Sequence, residues 1–389
     1  MATHLKFPPS DSVVRTRAVN AETYMSLYAQ RFMEPEVQGY EIVNFTSICF
    51  LIEHPTLNQK VLFDCGARKD LENYSPATKA KLSAILKGIR VEADVNDILL
   101  DANIDLDSIN SMIWSHWHWD HHGAPENFPS SVEVVVGPGF SKEFMPGYPT
   151  SPDAALLDAN FEGRTVREID FESSSLQIGQ FRAYDFFGDG SFYLLDTPGH
   201  AIGHMCGLAR TTPTTFVFLG GDICHFYGMV RPSPGVPLPD PVPSGHLDDG
   251  FPSPCPCSLF TDHHPRVESR SVEAKTTPFF EVTSAIPSSY HDYNIARNSV
   301  KAMQDFDASP DVLVCIAHDP TLLKVLPVLN DQPDEDLNDW KARGYKEKLL
   351  WGWLNDLPRE GNPGRPTLVD GIWRDGKRVP DVEQLSPSR

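Results

Sequence analysis

The chain has 389 residues, 40% of them hydrophobic and 22% charged, a balance that excludes global disorder and is long enough for one elaborate domain or two ordinary ones. Its 53 acidic against 33 basic residues give a formal charge of -20, and no Lys/Arg-rich run offsets it locally, so nucleic acid is not expected as a partner. No run of about 20 apolar residues marks a membrane span and no signal peptide opens the chain, so the expectation is a cytoplasmic protein without a membrane partner.

Apolar and β-branched runs at 13–19 and 46–53 predict strands, and 60–64 predicts a third before a turn at Cys65-Gly66. Helical spacing over 75–86 and 95–102 precedes a strand at 111–114. Further strands are expected at 132–136, 191–195, 215–219 and 312–316, each stopping at or just before a Gly, Asp or His. Over 231–257 proline recurs every two or three residues, which predicts an extended loop. Helices are predicted over 293–305 and 337–351, and the tail 385–389 is expected to fray.

The densest chemistry follows the strand at 111–114, in Ser115-His116-Trp117-His118-Trp119-Asp120-His121-His122-Gly123. Imidazoles and a carboxylate packed this closely rarely form a core, whereas both are donors that suit zinc. Two metals about 3.5–4 Å apart need more ligands than one short run supplies. His200, Asp222 and His318, at the ends of later predicted strands, are the remaining candidates.

In order and context these residues resemble the H-x-H-x-D-H motif and the later His, Asp and His of the metallo-β-lactamase superfamily, over about residues 64–319. The resemblance implies an αββα sandwich, two mixed sheets flanked by helices, in a single domain over 1–389. A Pro-rich insertion at about 229–270 and a C-terminal extension after about 330 would decorate it. By that likeness His116, His118 and His200 would bind one zinc ion, Asp120, His121 and His318 a second, and Asp222 would bridge both. Asp64 stands where such proteins often carry an acid that accepts an N–H from a ligand imidazole. A hydroxide held between two divalent ions is available near neutral pH, so no Ser or Cys nucleophile is required. Asp120 is also a candidate proton donor to the leaving group.

The nearest functional likeness is to the acyl-homoserine lactone lactonases, which carry a tyrosine three residues after the bridging Asp. Here that position is His225, with Tyr227 two residues on, and both are catalytic candidates. His122 and His204 read as packing or hydrogen-bonding residues, and Trp117 and Trp119 as pocket wall or core. His263 and His264 read as solvated loop residues, Cys255 and Cys257 as loop cysteines. The seven scattered cysteines suit reduced thiols. The expected activity is opening of a small lactone, lactam or cyclic carbamate, with a looser likeness to fungal proteins acting on benzoxazolinones. The substrate partner is a small molecule, and a homodimer remains open. Rival readings are a glyoxalase-II-like or polyketide-type thioesterase, which shares every ligand; an RNA-processing nuclease, which the acidic balance opposes; and a non-catalytic metal-binding protein, which the full ligand set opposes.

Overall fold

The computed structural model describes residues 5–269 and 271–379; the tail 385–389 lies outside them. Among the described residues a nine-stranded sheet runs in the order Lys377–Val379, Gly371–Arg374, Leu86–Val91, Arg15–Tyr28, Ile42–His54, Gln59–Phe63, Ser111–Ile113, Glu133–Val136 and Val166–Glu168. A six-stranded sheet runs in the order Val312–Cys315, Thr215–Leu219, Met205–Thr212, Phe192–Asp196, Phe181–Asp185 and Gln177–Ile178.

The period-two alternation of side chains decides how these sheets stack. Ile48, Phe50, Ile52, Val61 and Phe63 of the larger sheet share one apolar cluster with Leu194, Val217, Leu219 and Leu313 of the smaller, which therefore face each other. The intervening Cys49, Leu51 and Leu62 point the other way and pack with Ile98 and Leu99 of the helix Val95–Asp101. Phe216, Phe218, Val312 and Val314 turn outward onto Ala296, Val300, Met303 and Phe306 of the helix Tyr293–Ala308. The result is the αββα sandwich. Strands apolar on both faces are the physical reason that 215–219 and 312–316 read as continuous hydrophobic runs.

Sheet direction then gathers the polar strand ends. Gln59–Phe63 and Ser111–Ile113 pair in parallel, so Asp64 and the segment from Trp114 emerge side by side. Thr215–Leu219 and Val312–Cys315 also pair in parallel, which brings the chains leading to Asp222 and His318 out at one end.

Two segments differ from expectation, and the Pro-rich segment is the expected loop. The first strand continues to Tyr28 through an irregularity between Asn20 and Tyr24, where Glu22 has φ +49°. The stretch 337–351 is not one helix. Leu337 donates its N–H to Thr16 O, and the Asn338 side chain accepts from Thr16 N and donates to Val14 O, so the backbone is drawn onto the edge of the first strand. Gly344, at φ +66°, then separates those turns from the helix Tyr345–Leu349. The Pro-rich segment lacks a ladder beyond isolated bridges Ser233–Val236 and Val242–Cys255, yet it packs inward through buried Arg231, Leu238, Val242, Cys255 and Cys257. No helix among the described residues is long and apolar enough to cross a membrane.

Candidate metal centre

His116 and His118 leave the end of Ser111–Ile113, and Asp120 and His121 follow in the short helix Trp119–His122. His200, Asp222 and His318 arrive from the ends of Phe192–Asp196, Thr215–Leu219 and Val312–Cys315, and all seven side chains are buried. Ligand-capable atoms of His116, His118, His200 and Asp222 lie within 4.8 Å of one another, and so do those of Asp120, His121 and His318. Asp222 spans the two groups with one oxygen on each. Its Oδ2 is 3.6 Å from His116 Nε2 and 3.2 Å from His200 Nε2, while its Oδ1 is 3.1 Å from His121 Nε2 and 2.9 Å from His318 Nε2. Asp120 faces the second group, with Oδ2 3.5 Å from His318 Nε2.

This arrangement does not satisfy itself as protein alone. His200 Nε2 lies 3.1 Å from His116 Nε2 and 2.9 Å from His118 Nδ1. Three ring nitrogens meeting at one place cannot all be paired, because a neutral ring offers one N–H and one lone pair on opposite sides. A cation between them would take all three lone pairs. Burial, reinforced by the neighbouring histidines, holds His116 well below its ordinary pKa; burial and Lys81 do the same to His118, so both rings stay neutral, the ligating form. In the second group burial opposes charge on His121, but Asp222, Asp64 and Asp120 outweigh it and hold its proton well above the usual range. His121 Nε2 and Asp222 Oδ1 are nevertheless buried without a hydrogen-bond partner despite their closeness. Orphaned polar atoms at that depth are costly unless something else binds them. The donor set fits a binuclear centre.

Outer partners aim the rings. His116 Nδ1 is 3.0 Å from Ser115 Oγ, His121 Nδ1 is 2.9 Å from Asp64 Oδ2, and His318 Nδ1 is 2.8 Å from Thr46 O. For His121 and His318 the acceptor fixes the N–H outward and leaves the Nε2 lone pair facing in. Asp64 also accepts the Ser115 N–H at 2.7 Å, tying both strand ends together. His204 accepts the Asp222 N–H at 3.1 Å through Nε2 and turns Nδ1 to Thr197 O, so it holds backbone rather than joining the cluster. Gly221 sits at φ +47°, and a Cβ there would come within 2.9 Å of the Ser115 side chain, so the approach to Asp222 requires glycine.

The centre opens on a small cavity whose apolar wall is Leu27, Phe32, Phe45, Ile85 and Trp119. Lys81 and Ser289 join His118, Asp120, His200, Asp222, His225 and His318 on its polar side.

Among characterised proteins, γ-lactamase FDB1 of Fusarium pseudograminearum is 41% identical over 359 residues, covering 90% of this chain and 84% of that protein. Metallo-hydrolase mfmC of Annulohypoxylon moriforme is 38% identical over 362 residues, 91% of this chain and 90% of that one. The chain belongs to the metallo-β-lactamase superfamily. It is a metal-dependent hydrolase. No family model matches the sequence. The crystal structure of a quorum-quenching N-acyl homoserine lactone hydrolase shares the fold, with a TM-score of 0.51 at 16% identity over 82% of this chain and 98% of that one.

Within this metallo-β-lactamase centre the remaining candidates separate. His225 joins it: Nε2 is 3.0 Å from Asp222 Oδ2, and Nδ1 is 2.8 Å from the hydroxyl of Tyr290. Tyr227 does not. Its hydroxyl donates to Val314 O at 2.6 Å and its ring lies 4.0 Å beneath the Arg231 guanidinium. His122 turns Nδ1 to Gly123 O, and His264 packs on Phe279 with Nε2 on Thr277 O. His263 is exposed, and Cys255 and Cys257 are free, buried thiols away from the cluster. All seven cysteines are free. Two residues the motif did not announce face the site. Tyr290 arrives from a loop and Lys81 from the helix Pro76–Ile85, each in a segment whose local pattern carries no sign of the chemistry.

Proposed function

We propose that this hydrolase opens a small ring at an ester- or amide-like bond, a lactone, lactam or cyclic carbamate, with two zinc ions as the resident metals. The observation that carries the reading is the meeting of a binuclear donor set with a compact cavity that has one apolar wall. The names of the relatives point the same way, since one is a lactamase and the protein of like fold is a lactone hydrolase. His116, His118 and His200 would hold one ion and Asp120, His121 and His318 the other, with Asp222 shared, because its two oxygens already face the two groups. When bound, the ions would supply an activated water and polarise the scissile carbonyl.

The chain's own residues do the rest. Phe32 and Phe45, packed edge to face with centroids 5.2 Å apart, give the ring an apolar seat, and Phe45 stacks on the His318 imidazole with centroids 5.0 Å apart. Asp120 stands in the cavity wall, where it can pass a proton to the departing ring atom. His225, bonded to both Asp222 and Tyr290, keeps the shared carboxylate in place. The free thiols and acidic surface suit a cytoplasmic enzyme for small neutral molecules.

The test is a substrate panel on zinc-loaded protein: a simple lactone, an N-acyl homoserine lactone, a γ-lactam, 2-benzoxazolinone and two open-chain thioesters. Metal-dependent turnover of one cyclic class supports the reading. Turnover of thioesters with none of the rings would replace it with a thioesterase.

A further inference from the structure

The geometry points to Lys81 as an anion-binding subsite that receives the carboxylate group formed when the ring opens. Lys81 lies on the helix Pro76–Ile85, half-buried, with its ammonium 4.7 Å over the Trp117 ring and 3.1 Å from His118 Nε2. Among the described residues no carboxylate lies within ion-pair distance of it. An aromatic face supports such a cation but does not hydrogen-bond it, so its donors still seek an acceptor.

The contact with His118 is not that acceptor. His118 turns Nδ1 inward, 2.9 Å from His200 Nε2. A ring that gives its Nδ1 lone pair to a cation carries its proton on Nε2, so an N–H would then face the ammonium and both groups would be donors. Lys81 must then find its partner elsewhere, and it lines the same cavity as Asp120, Asp222 and His318, one imidazole width from the cluster. Ring opening creates a suitable partner there. The oxygen of water bonds to the acyl carbon, the ring C–O or C–N bond breaks, and the ring heteroatom takes one proton of the water. The other proton passes to solvent, which leaves the new carboxyl group as a carboxylate. A lysine facing the acyl oxygens gains a charge-assisted bond as their negative charge grows. The ring-opening reading supplies only the identity of the anion.

The experiment compares benzoate with its neutral isostere benzamide on zinc-loaded protein, reading binding from tryptophan fluorescence, since Trp117 lies under the ammonium. Lys81→Met should weaken benzoate at least about tenfold and leave benzamide within twofold, while Lys81→Arg keeps most of the benzoate affinity. Zinc content of the variants should match the parent; Lys81→Gln repeats the measurement if the methionine variant misfolds. Equal weakening of both probes, no weakening of either, or loss of zinc from Lys81→Met would overturn the subsite in favour of a packing role. Neither probe is a substrate, so failure of the ring panel leaves this result standing on its own.

Discussion

Removing the carboxylate of Asp307 should damage the fold behind the metal centre more than most single changes. Asp307, on the helix Tyr293–Ala308, grips Arg231 with two bonds, Oδ2 to Nε at 2.9 Å and Oδ1 to Nη2 at 2.6 Å. Arg231 also donates through Nη1 to Leu349 O and Leu350 O, both at 3.0 Å, and covers Tyr227, whose hydroxyl is bonded to Val314 O. Both charged side chains are essentially excluded from solvent, at 2% and 1% exposure. The chain just after Asp222 is thus pinned to the helix and to the strand that leads to His318. Burial opposes charge on Asp307, yet Arg231 outweighs it and keeps the carboxyl below the usual range. Asp307→Ala leaves a buried guanidinium without its counter-charge, for which about 3–5 kcal/mol is expected. Urea unfolding followed by circular dichroism measures the loss, and the paired change Arg231→Met with Asp307→Leu should recover much of it. Because the folded pKa is depressed, the pair's contribution is present above about pH 4 and lost as pH falls through the folded value. A loss below about 1 kcal/mol, as for an exposed pair, would refute the reasoning.

Tyr227→Phe removes only the bond to Val314 O, so it should cost about 1 kcal/mol of stability with kcat near that of the parent; a hundredfold fall in kcat at unchanged stability would restore Tyr227 to the chemistry. Tyr290→Phe deletes the partner of His225 Nδ1 and should lower kcat roughly tenfold with little change in KM, as loss of an outer partner does; unchanged kinetics would remove Tyr290 from the site. Asp356 is raised to about 7 by burial, with Arg365 opposing. A carboxyl with a raised folded pKa contributes stability below about pH 4 that is lost as pH rises through about 7. Asp356→Asn should therefore flatten thermal stability between pH 5 and 8 and raise it at pH 8 by about 1–2 kcal/mol, allowing for solvent screening of a side chain 27% exposed; an unchanged pH slope would contradict this.

The cluster that could hold metal was legible because strand ends deliver its members as short polar runs after apolar ones, and because their order and spacing resemble a known motif. The short apolar, β-branched runs at 46–53 and 215–219 announced strands that are buried on both faces. Other features depend on contacts that no local pattern records. Lys81 sits among Ala80, Leu82 and Lys79 on what reads as an ordinary solvated helix, and only the packing of that helix beside His118 gives it meaning. Tyr290 matters through one hydroxyl that meets a histidine 65 residues away in sequence. Tyr227 shows the converse, since nearness in sequence to Asp222 suggested chemistry while Arg231 and Val314 give the ring and hydroxyl a structural task. The segment 337–351 looked helical, but hydrogen bonds to the first strand and a left-handed Gly344 decide otherwise.

The central claim is a binuclear centre held together by Asp222, and metal analysis of purified, zinc-equilibrated protein beside Asp222→Ala tests it most directly. Close to two equivalents in the parent, falling to one or fewer in the variant together with loss of turnover, is the predicted result. One equivalent or none in the parent, or two retained by Asp222→Ala, would contradict it.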